Sequence, residues 1–306
     1  MTLVAFNEIM EDAERGQYAV GYFESWNLES LLAVADAAEK HRSPVILGFS
    51  GIYLPHPDRK VRDRLAPYAA MGLETCDGLS VPACLLFNES PHMDWVIAAL
   101  TLGFNLVMFS DDSLGDAERI REIRLVADRA HKLGAAVEAE LESLPGVGGD
   151  YSDNGRHDFR MTDPADARGF VMQTNIDALA VNIGQVHVHG RRTVRLDLDQ
   201  LKQFHDLSVP LVLHGATSVS RDDLRAAIQL GIRKINVGSL LKQVYFDALR
   251  DACATVGEWS NPYEVVGSRL ESDVLVSGRI AIQNAVGELM QVFGSAGKAP
   301  TVERVK

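Results

Sequence analysis

Polar side chains follow the apolar runs of this sequence at the points where the runs end. In chain order they are Glu24, Ser50, Asn88-Glu89, Ser110-Asp111-Asp112, Glu138 and Glu140, His187 and His189, His214, and Asn236 with Ser239. Neutral imidazole nitrogens and carboxylate oxygens are ligands that Zn²⁺ and similar divalent cations take in proteins. If the fold gathers the histidines and some of the carboxylates, we expect a divalent-metal site where they meet.

Eight short apolar runs of strand length alternate with helical patterns along the chain. The runs are Tyr18–Phe23, Pro44–Ser50, Val81–Asn88, Phe104–Ser110, Ala135–Leu141, Ala178–Ile183, Pro210–His214 and Lys234–Ser239. Amphipathic segments such as Leu28–His41 and Asp116–Leu133 lie between them. This alternation predicts a single (β/α)₈ barrel, an α/β fold in which the carboxyl ends of all strands meet at one rim.

Helix boundaries are also visible in the sequence. Asp163, which precedes a proline, and Ser220 are residue types that accept hydrogen bonds from the first turn of a helix. Gly103, Gly134 and Gly231 stand where helical patterns end. The predicted helices therefore begin and end between the predicted strands, as a barrel requires.

Two carboxylates in the fifth run test the barrel hypothesis. Glu138 and Glu140 are two residues apart and so project to the same face of a strand. The outer face of a barrel strand is covered by helices, where two carboxylates would be poorly solvated. We therefore expect both to face the barrel mouth, where water, a cation or a substrate can compensate their charge.

The length, composition and net charge of the chain limit the class of protein. The chain has 306 residues, 46% of them hydrophobic, and we expect one domain over 1–306 with a helical extension at about 255–295 and a frayed tail from Ala299. A net charge of -12 disfavours nonspecific binding to nucleic acids or anionic membranes. Three cysteines without metal-type spacing, no run of membrane-spanning length and an acidic amphipathic N-terminus favour a reduced, cytoplasmic protein.

Four stretches carry a resemblance to a known family. They read YAVGYFESWNLESLLAVADAAEKHRSPVIL, VEAEL, ALAVNIGQVH and VPLVLHGATSVSRDDLRAAIQLGIRKINVGS, and the last is the most specific. The chain resembles the class II ketose-bisphosphate aldolases, especially the tagatose-bisphosphate branch. The resemblance implies a metal-dependent barrel, a homodimer or homotetramer, that cleaves or joins ketose phosphates through a Zn²⁺-stabilised enediolate.

The resemblance also assigns roles to residues. It gives His187 and His214 as ligands of the catalytic metal, with His189 as a neighbouring candidate if the register slips. The positions that hold a substrate phosphate match Gly215, Thr217, Asn236, Gly238 and Ser239, and Ser50 matches another substrate-contacting position.

The third strand departs from the family pattern. A His-Leu-Asp-His motif of the family aligns with Leu86-Phe87-Asn88-Glu89, so the catalytic acid becomes Asn88 and a metal-binding histidine becomes Glu89. Asn does not exchange a proton near neutral pH. Glu89 could still complete a metal site with His187 and His214, a set that suits Zn²⁺, Mn²⁺ or Fe²⁺.

Further departures lie in the fourth strand and the long loop. The aspartate that ends the fourth strand in relatives is Ser110 here. In relatives, an acidic pair in the long loop takes the substrate proton. That pair aligns with Gly148-Gly149 here, and Asp150 is the next residue. Glu140 and Asp150 are therefore the candidates for moving the proton.

These observations predict a metal-dependent, aldolase-like lyase acting on a ketose phosphate or a related polyhydroxy carbonyl compound, with a substrate other than the standard bisphosphates. Two alternatives stay open. A barrel that has lost catalysis and serves as a binding or assembly protein would show the same loss of acids at positions 88 and 148–149. An isomerase or epimerase would keep the metal and phosphate sites without needing the missing acid.

Overall fold

The computed structural model describes residues 2–142, 144, 160–185 and 194–300. Within them, eight parallel strands form a closed barrel in which each strand pairs with the next and the eighth pairs with the first. The strands are β1 Val20–Ser25, β2 Val45–Ser50, β3 Ala83–Ser90, β4 Leu106–Phe109, β5 Ala136–Glu140, β6 Ala178–Ala180, β7 Leu211–Leu213 and β8 Ile232–Val237. The predicted barrel is confirmed.

Helices precede, connect and follow the strands, and those between the strands cover the outer faces of the barrel. They are α1 Phe6–Gly16, α2 Leu28–His41, α3 Leu65–Gly78, α4 Met93–Thr101, α5 Asp116–Lys132, α6 Pro164–Thr174, α7 Leu198–Leu201, α8 Arg221–Gln229, α9 Ser239–Ala254, α10 Pro262–Val265 and α11 Val274–Phe293. Short 3₁₀ turns occupy Lys202–Phe204 and Ala216–Ser218. No helix among the described residues is long and apolar enough to cross a membrane.

The helix ends follow from local chemistry. The Asp163 side chain accepts hydrogen bonds from Ala165 N and Asp166 N at the start of α6, and Ser220 accepts one from Asp223 N at the start of α8. Gly103, Gly134 and Gly231 have positive φ angles just after α4, α5 and α8, where residues with a Cβ would be strained. These boundaries agree with the sequence-based predictions.

The barrel has two hydrophobic cores, one on each side of its wall. The inner core consists of α1 and one face of the strands, represented by Tyr22, Leu86, Ala136 and Val212. The outer core lies between the strands and the surrounding helices. Because strand side chains alternate between faces, the residue two positions after each inner residue also points into the barrel. This rule brings Glu24, Asn88, Glu138 and His214 to the inside, near the carboxyl ends of the strands.

The C-terminal helix and the residues after it close the seam between the start and the end of the chain. Phe293 of α11 stacks on Phe23 of β1, with ring centroids 6.3 Å apart. Ala19 N donates to Phe293 O at 3.0 Å, and Gly297 N donates to His41 O at 2.8 Å. Ala299, at which a frayed tail was expected to begin, is buried, and its N–H donates to Arg42 O. Residues 301–306 lie outside the described part.

Several predicted boundaries are wrong by two or three residues. The third strand spans Ala83–Ser90 rather than Val81–Asn88, and the helix after it begins at Met93. The eighth strand ends at Val237 rather than at Ser239. Gly238 leaves strand geometry, with φ -129° and ψ -65°, and Ser239 is already the first residue of α9.

Candidate functional site

His214 follows β7 directly and lies inside the barrel, with 2% of its side chain exposed. Its Nε2 lies 2.7 Å from Glu138 Oε1. A carboxylate can only accept, so Nε2–H is the donor, and this bond fixes the orientation of the ring. Its Nδ1 lies 2.9 Å from Glu89 Oε1 and 4.0 Å from Glu140 Oε2. Nδ1 is buried, and its contact with Glu89 is an ion pair without the geometry of a hydrogen bond.

Glu89 reaches His214 through a distortion of β3. Simple alternation would point Glu89 away from the barrel interior, because its neighbour Asn88 points inward. The register between β3 and β4 shifts between Phe87 and Ser90, and Glu89 has a φ of 51°. Bulges re-aim side chains, and a left-handed residue other than Gly inside a strand is strained and concentrates at functional sites. The distortion thus places a carboxylate beside His214 Nδ1.

Glu138 differs from its sequence-based prediction. It does not face the mouth; its side chain is fully buried inside the barrel. Its compensation comes from the protein itself, since Oε2 lies 2.6 Å from Lys234 Nζ while Oε1 is bonded to His214. Lys234 is equally buried, donates to Asn236 Oδ1, and has its Nζ 5.2 Å from the centroid of the Tyr22 ring. Glu138 therefore holds His214 in place and does not face solvent or substrate.

Glu140 occupies the rim position that was predicted for both carboxylates. Its side chain is 11% exposed, and Ser110 Oγ donates to its Oε1 at 2.7 Å. Burial, helped by repulsion from Glu89 and Asp112 and opposed by attraction to His214, raises the pKa of Glu140 to about 7. A carboxyl group with such a pKa can accept or donate a proton near neutrality.

Glu138 and His214, by contrast, have pKa values that are shifted in favour of their charged forms. Burial disfavours an ionised Glu138, but Lys234 and His214 outweigh it and lower the pKa of Glu138 to about 2. Burial likewise disfavours a charged imidazole, yet Glu138 and Glu89 outweigh it and raise the pKa of His214 to about 10. The second proton of the His214 ring thus supplies one positive charge that partly compensates the carboxylates around it.

The donor set fits a divalent cation. Glu138 holds the proton of His214 on Nε2, which leaves Nδ1 as the ligand atom, and Glu89 supplies a carboxylate oxygen on that side. A cation there would take the place of the second imidazole proton. Among the described residues, no group of three or more His, Cys, Asp or Glu side chains is set to hold a metal ion. The third predicted ligand, His187, lies outside those residues, as do His189 and Asp150.

Asn88 and Ser50 are neighbours at the ends of β3 and β2, where their Cα atoms are paired in register. Both side chains are buried. Asn88 Oδ1 has no hydrogen-bond partner in the described part of the chain, whereas Ser50 Oγ accepts from Ile52 N at 3.3 Å. An unsatisfied buried amide oxygen is costly and indicates a position that a bound molecule can complete.

The predicted phosphate residues lie at the ends of the adjacent strands β7 and β8. Gly215, with a φ of 66°, begins the 3₁₀ turn that contains the exposed Thr217. Gly238 precedes α9 without a side-chain cap, and Ser239 is the first residue of that helix. Asn236 is buried, and its Nδ2 has no partner among the described residues. Helix N-termini and turns of this kind present backbone N–H groups to anions.

Sequence reasoning missed two lysines of this region. Lys234 stands two residues before Asn236 on β8, so the alternation rule could have placed it inside the barrel. Lys242, in the first turns of α9, forms an ion pair with Glu24 at the end of β1. Burial raises the pKa of Glu24, although the Lys242 ammonium opposes the shift. The strand pattern could not predict that Lys242 belongs to this region, because Lys242 lies on a helix and reaches the rim from outside the barrel.

Comparisons with known proteins agree with this architecture. Residues 4–298 match the family described as class II fructose-bisphosphate aldolase. The chain is 33% identical over 303 residues to a fructose-bisphosphate aldolase of Geobacillus stearothermophilus, covering 98% of this chain and 99% of that one. It is 32% identical over 290 residues to the protein YdjI of Escherichia coli, covering 94% and 96% of the two chains.

Solved structures give the same result. The crystal structure of the YdjI aldolase from Escherichia coli K12 is similar with a TM-score of 0.80 and 30% identity, over 97% of this chain and all of that one. A fructose-bisphosphate aldolase from Campylobacter jejuni has a TM-score of 0.76 at 20% identity, over 97% of each chain, which shows the shared fold alone. The family match and the YdjI likeness extend over almost the whole sequence. The chain belongs to the class II fructose-bisphosphate aldolase family.

Proposed function

We propose that this protein is a metal-dependent, aldolase-like lyase that cleaves or joins a carbon–carbon bond in a ketose phosphate or a related polyhydroxy carbonyl compound. The substrate is proposed to differ from the standard ketose bisphosphates. The observation that carries the proposal is the buried Nδ1 of His214, which makes no hydrogen bond among the described residues and lies 2.9 Å and 4.0 Å from the carboxylates of Glu89 and Glu140 near the carboxyl ends of the barrel strands. Barrel enzymes carry their active sites at this end.

Glu89, His187 and His214 would hold the cation, Zn²⁺ or else Mn²⁺ or Fe²⁺, since two imidazoles and one carboxylate suit each of these ions. When bound, a divalent cation polarises a substrate carbonyl and stabilises the negative charge that develops next to it. Glu138 and Lys234 keep the His214 ring oriented from beneath. The residues of the chain thus supply the cation site and its rigid support.

Glu140 would move the proton in this reaction, and Asp150 is the second candidate. Support for Glu140 comes from its position at the rim, its pKa of about 7, and its hydrogen bond from Ser110 to Oε1, while Oε2 lies 4.0 Å from His214 Nδ1. Asn88 cannot exchange a proton, but its unpartnered Oδ1 can accept a hydrogen bond from a substrate hydroxyl. Ser50, Gly215, Thr217, Asn236, Gly238 and Ser239 would hold the rest of the substrate.

The departure at Asn88 is the reason for proposing a different substrate. The resemblance assigns proton exchange at the substrate hydroxyl to this position, and an amide cannot perform it. A metal-dependent isomerase or epimerase, which would enolise the substrate without cleaving it, is the second candidate function. Exchange of isotope into dihydroxyacetone phosphate without any cleavage would favour that candidate.

Metal analysis and cleavage assays test the leading proposal together. We expect purified protein to contain a stoichiometric divalent metal that is lost in His214→Ala, along with cleavage activity. His205→Ala is the matched control, because His205 is exposed and lies outside the site, and it should keep both. Metal that stays bound in His214→Ala would contradict the proposed ligand set. Cleavage of fructose or tagatose bisphosphate by wild type at ordinary rates, about 1–1,000 s⁻¹, would contradict the altered substrate.

The proposed partner besides the substrate is a second copy of the chain, in a homodimer or homotetramer. Large apolar side chains are exposed in the segment between α9 and α11, where Trp259 is 91% and Tyr263 is 87% exposed. Exposed aromatic residues of this kind mark association surfaces. Light scattering in solution would contradict self-association if it gave the mass of a single chain.

A further inference from the structure

The end of β1 carries a carboxylate that lies against the predicted phosphate residues. Glu24 points into the barrel two positions after Tyr22, and its side chain is 13% exposed. A Cβ atom at position 238 would lie 2.7 Å from Glu24 Oε2, so the carboxylate touches the backbone of Gly238. Gly238 precedes a helix of 16 residues that has no side-chain cap. A carboxylate of the protein itself therefore stands at the position where a substrate phosphate would meet that helix.

Lys242 holds this carboxylate in place. Its Nζ forms the ion pair with Glu24 Oε1. The same ammonium lies 4.4 Å from the centroid of the Tyr53 ring and 5.7 Å from that of the Trp26 ring, within the range of cation–π attraction. The positive charge that could otherwise attract a phosphate is thus already engaged by a carboxylate and two aromatic faces.

A phosphate group placed against Gly238 and Ser239 would meet the Glu24 carboxylate at close range. Like charges only a few ångströms apart and partly shielded from water repel each other strongly. A hydroxyl group at the same place would instead donate a hydrogen bond to Glu24, and such bonds to a charged acceptor are the stronger kind. The Glu24–Lys242 pair therefore favours a substrate whose end is uncharged over one that ends in a dianionic phosphate.

We propose that Glu24 and Lys242 make the protein select a substrate that carries a hydroxyl group, not a phosphate, at the end bound beside Gly238. This inference rests on the proposed lyase function and specifies its substrate as a polyhydroxy ketone without phosphate at that end. Glu24 is a specificity-determining residue in this scheme: it accepts the hydrogen bond of the terminal hydroxyl and repels a phosphate.

The test compares two probes with the same carbon skeleton, dihydroxyacetone and dihydroxyacetone phosphate. Their binding to the metal-containing protein is measured by calorimetry for wild type, Glu24→Gln, Lys242→Met and Asp128→Asn. The last variant is the charge-matched control, because Asp128 is half-exposed on α5 and forms an ion pair with Arg124. Calorimetry detects binding whether or not a carbon–carbon bond is cleaved. Failure of the lyase function and failure of this inference therefore give different results.

Glu24→Gln should bind dihydroxyacetone phosphate at least about tenfold more tightly than wild type, because a like-charge contact is removed. It should bind dihydroxyacetone more weakly, and Asp128→Asn should change neither affinity. Lys242→Met should bind the phosphate no better than wild type, since it leaves the carboxylate in place. The inference is overturned if wild type already binds the phosphate as tightly as Glu24→Gln does. It is equally overturned if Glu24→Gln keeps the wild-type affinity for dihydroxyacetone, because Glu24 would then not accept the hydrogen bond of the terminal hydroxyl.

Discussion

Glu138 and Glu140 stand two residues apart on β5 and point to the same side of the strand, yet they differ in every property that matters for chemistry. Glu138 is fully buried between Lys234 and His214, and its pKa is lowered to about 2. Glu140 lies one layer higher, bonded to Ser110, and its pKa is raised to about 7. One strand therefore supplies a permanently charged support and a titratable group at the rim. Surroundings that push the pKa values of two neighbouring carboxyl groups apart allow them to perform different roles.

The largest expected effect separates the two residues by stability. Glu138→Gln should lower the free energy of unfolding by about 3–5 kcal/mol, because it leaves Lys234 buried without its counter-charge. Glu140→Gln should cost less than about 1 kcal/mol, because the nearest buried cation, His214, lies 4.0 Å away and keeps its closer contacts with Glu138 and Glu89. Urea unfolding of the metal-free proteins measures both values. Equal losses in the two variants would show that the assigned division of roles is wrong.

A smaller effect is expected on catalytic turnover, in which only Glu140 should take part directly. If Glu140 moves the proton, Glu140→Gln should reduce turnover by about 100-fold or more while the bound metal remains. Glu140→Asp keeps the carboxyl group on a shorter side chain and should recover part of the loss. Steady-state kinetics with the cleaved substrate gives the comparison. Full activity in Glu140→Gln would transfer the proton-moving role to Asp150.

The smallest effect is a difference in pH dependence, with opposite signs for the two residues. The pKa of Glu138 is depressed on folding, so its stabilising contribution is complete above pH 4.5 and is lost as the pH falls toward 2. The pKa of Glu140 is raised, so the folded state holds its proton more tightly and stability falls as the pH rises from 4.5 to about 7. Subtracting the curve of the matching Gln variant from that of metal-free wild type isolates each slope. Slopes of the same sign would contradict the assignment.

The sequence was sufficient for the barrel and for the inner face of its strands. The apolar runs predicted all eight strands, and alternation from Tyr22 or Val212 predicts that Glu24 and His214 point inward. Two further features of the site could be seen only in the folded structure. Glu89 reaches the site only because a bulge with a left-handed residue interrupts β3, and no pattern in Leu86 to Ser90 announces that backbone conformation.

Glu138 was misplaced for a different reason. Sequence reasoning treated an inward carboxylate as a group that must reach water or a ligand, because burial of a lone charge is costly. The compensating charge comes from Lys234, which is 96 residues away in the chain and adjacent only after the barrel closes. Local patterns show which side of a strand a residue occupies. They do not show its depth or its neighbour across the barrel.

The seam closed by α11 has a consequence for the synthesis of the protein. Phe23 near the start of the chain stacks on Phe293, and Ala19, His41 and Arg42 complete their backbone hydrogen bonds with residues 293–299. A nascent chain cannot supply these partners before residues 293–299 have left the ribosome. We therefore expect the outer side of β1 and α2 to remain uncovered while the intervening barrel is synthesised, and a chaperone would be most useful during that interval.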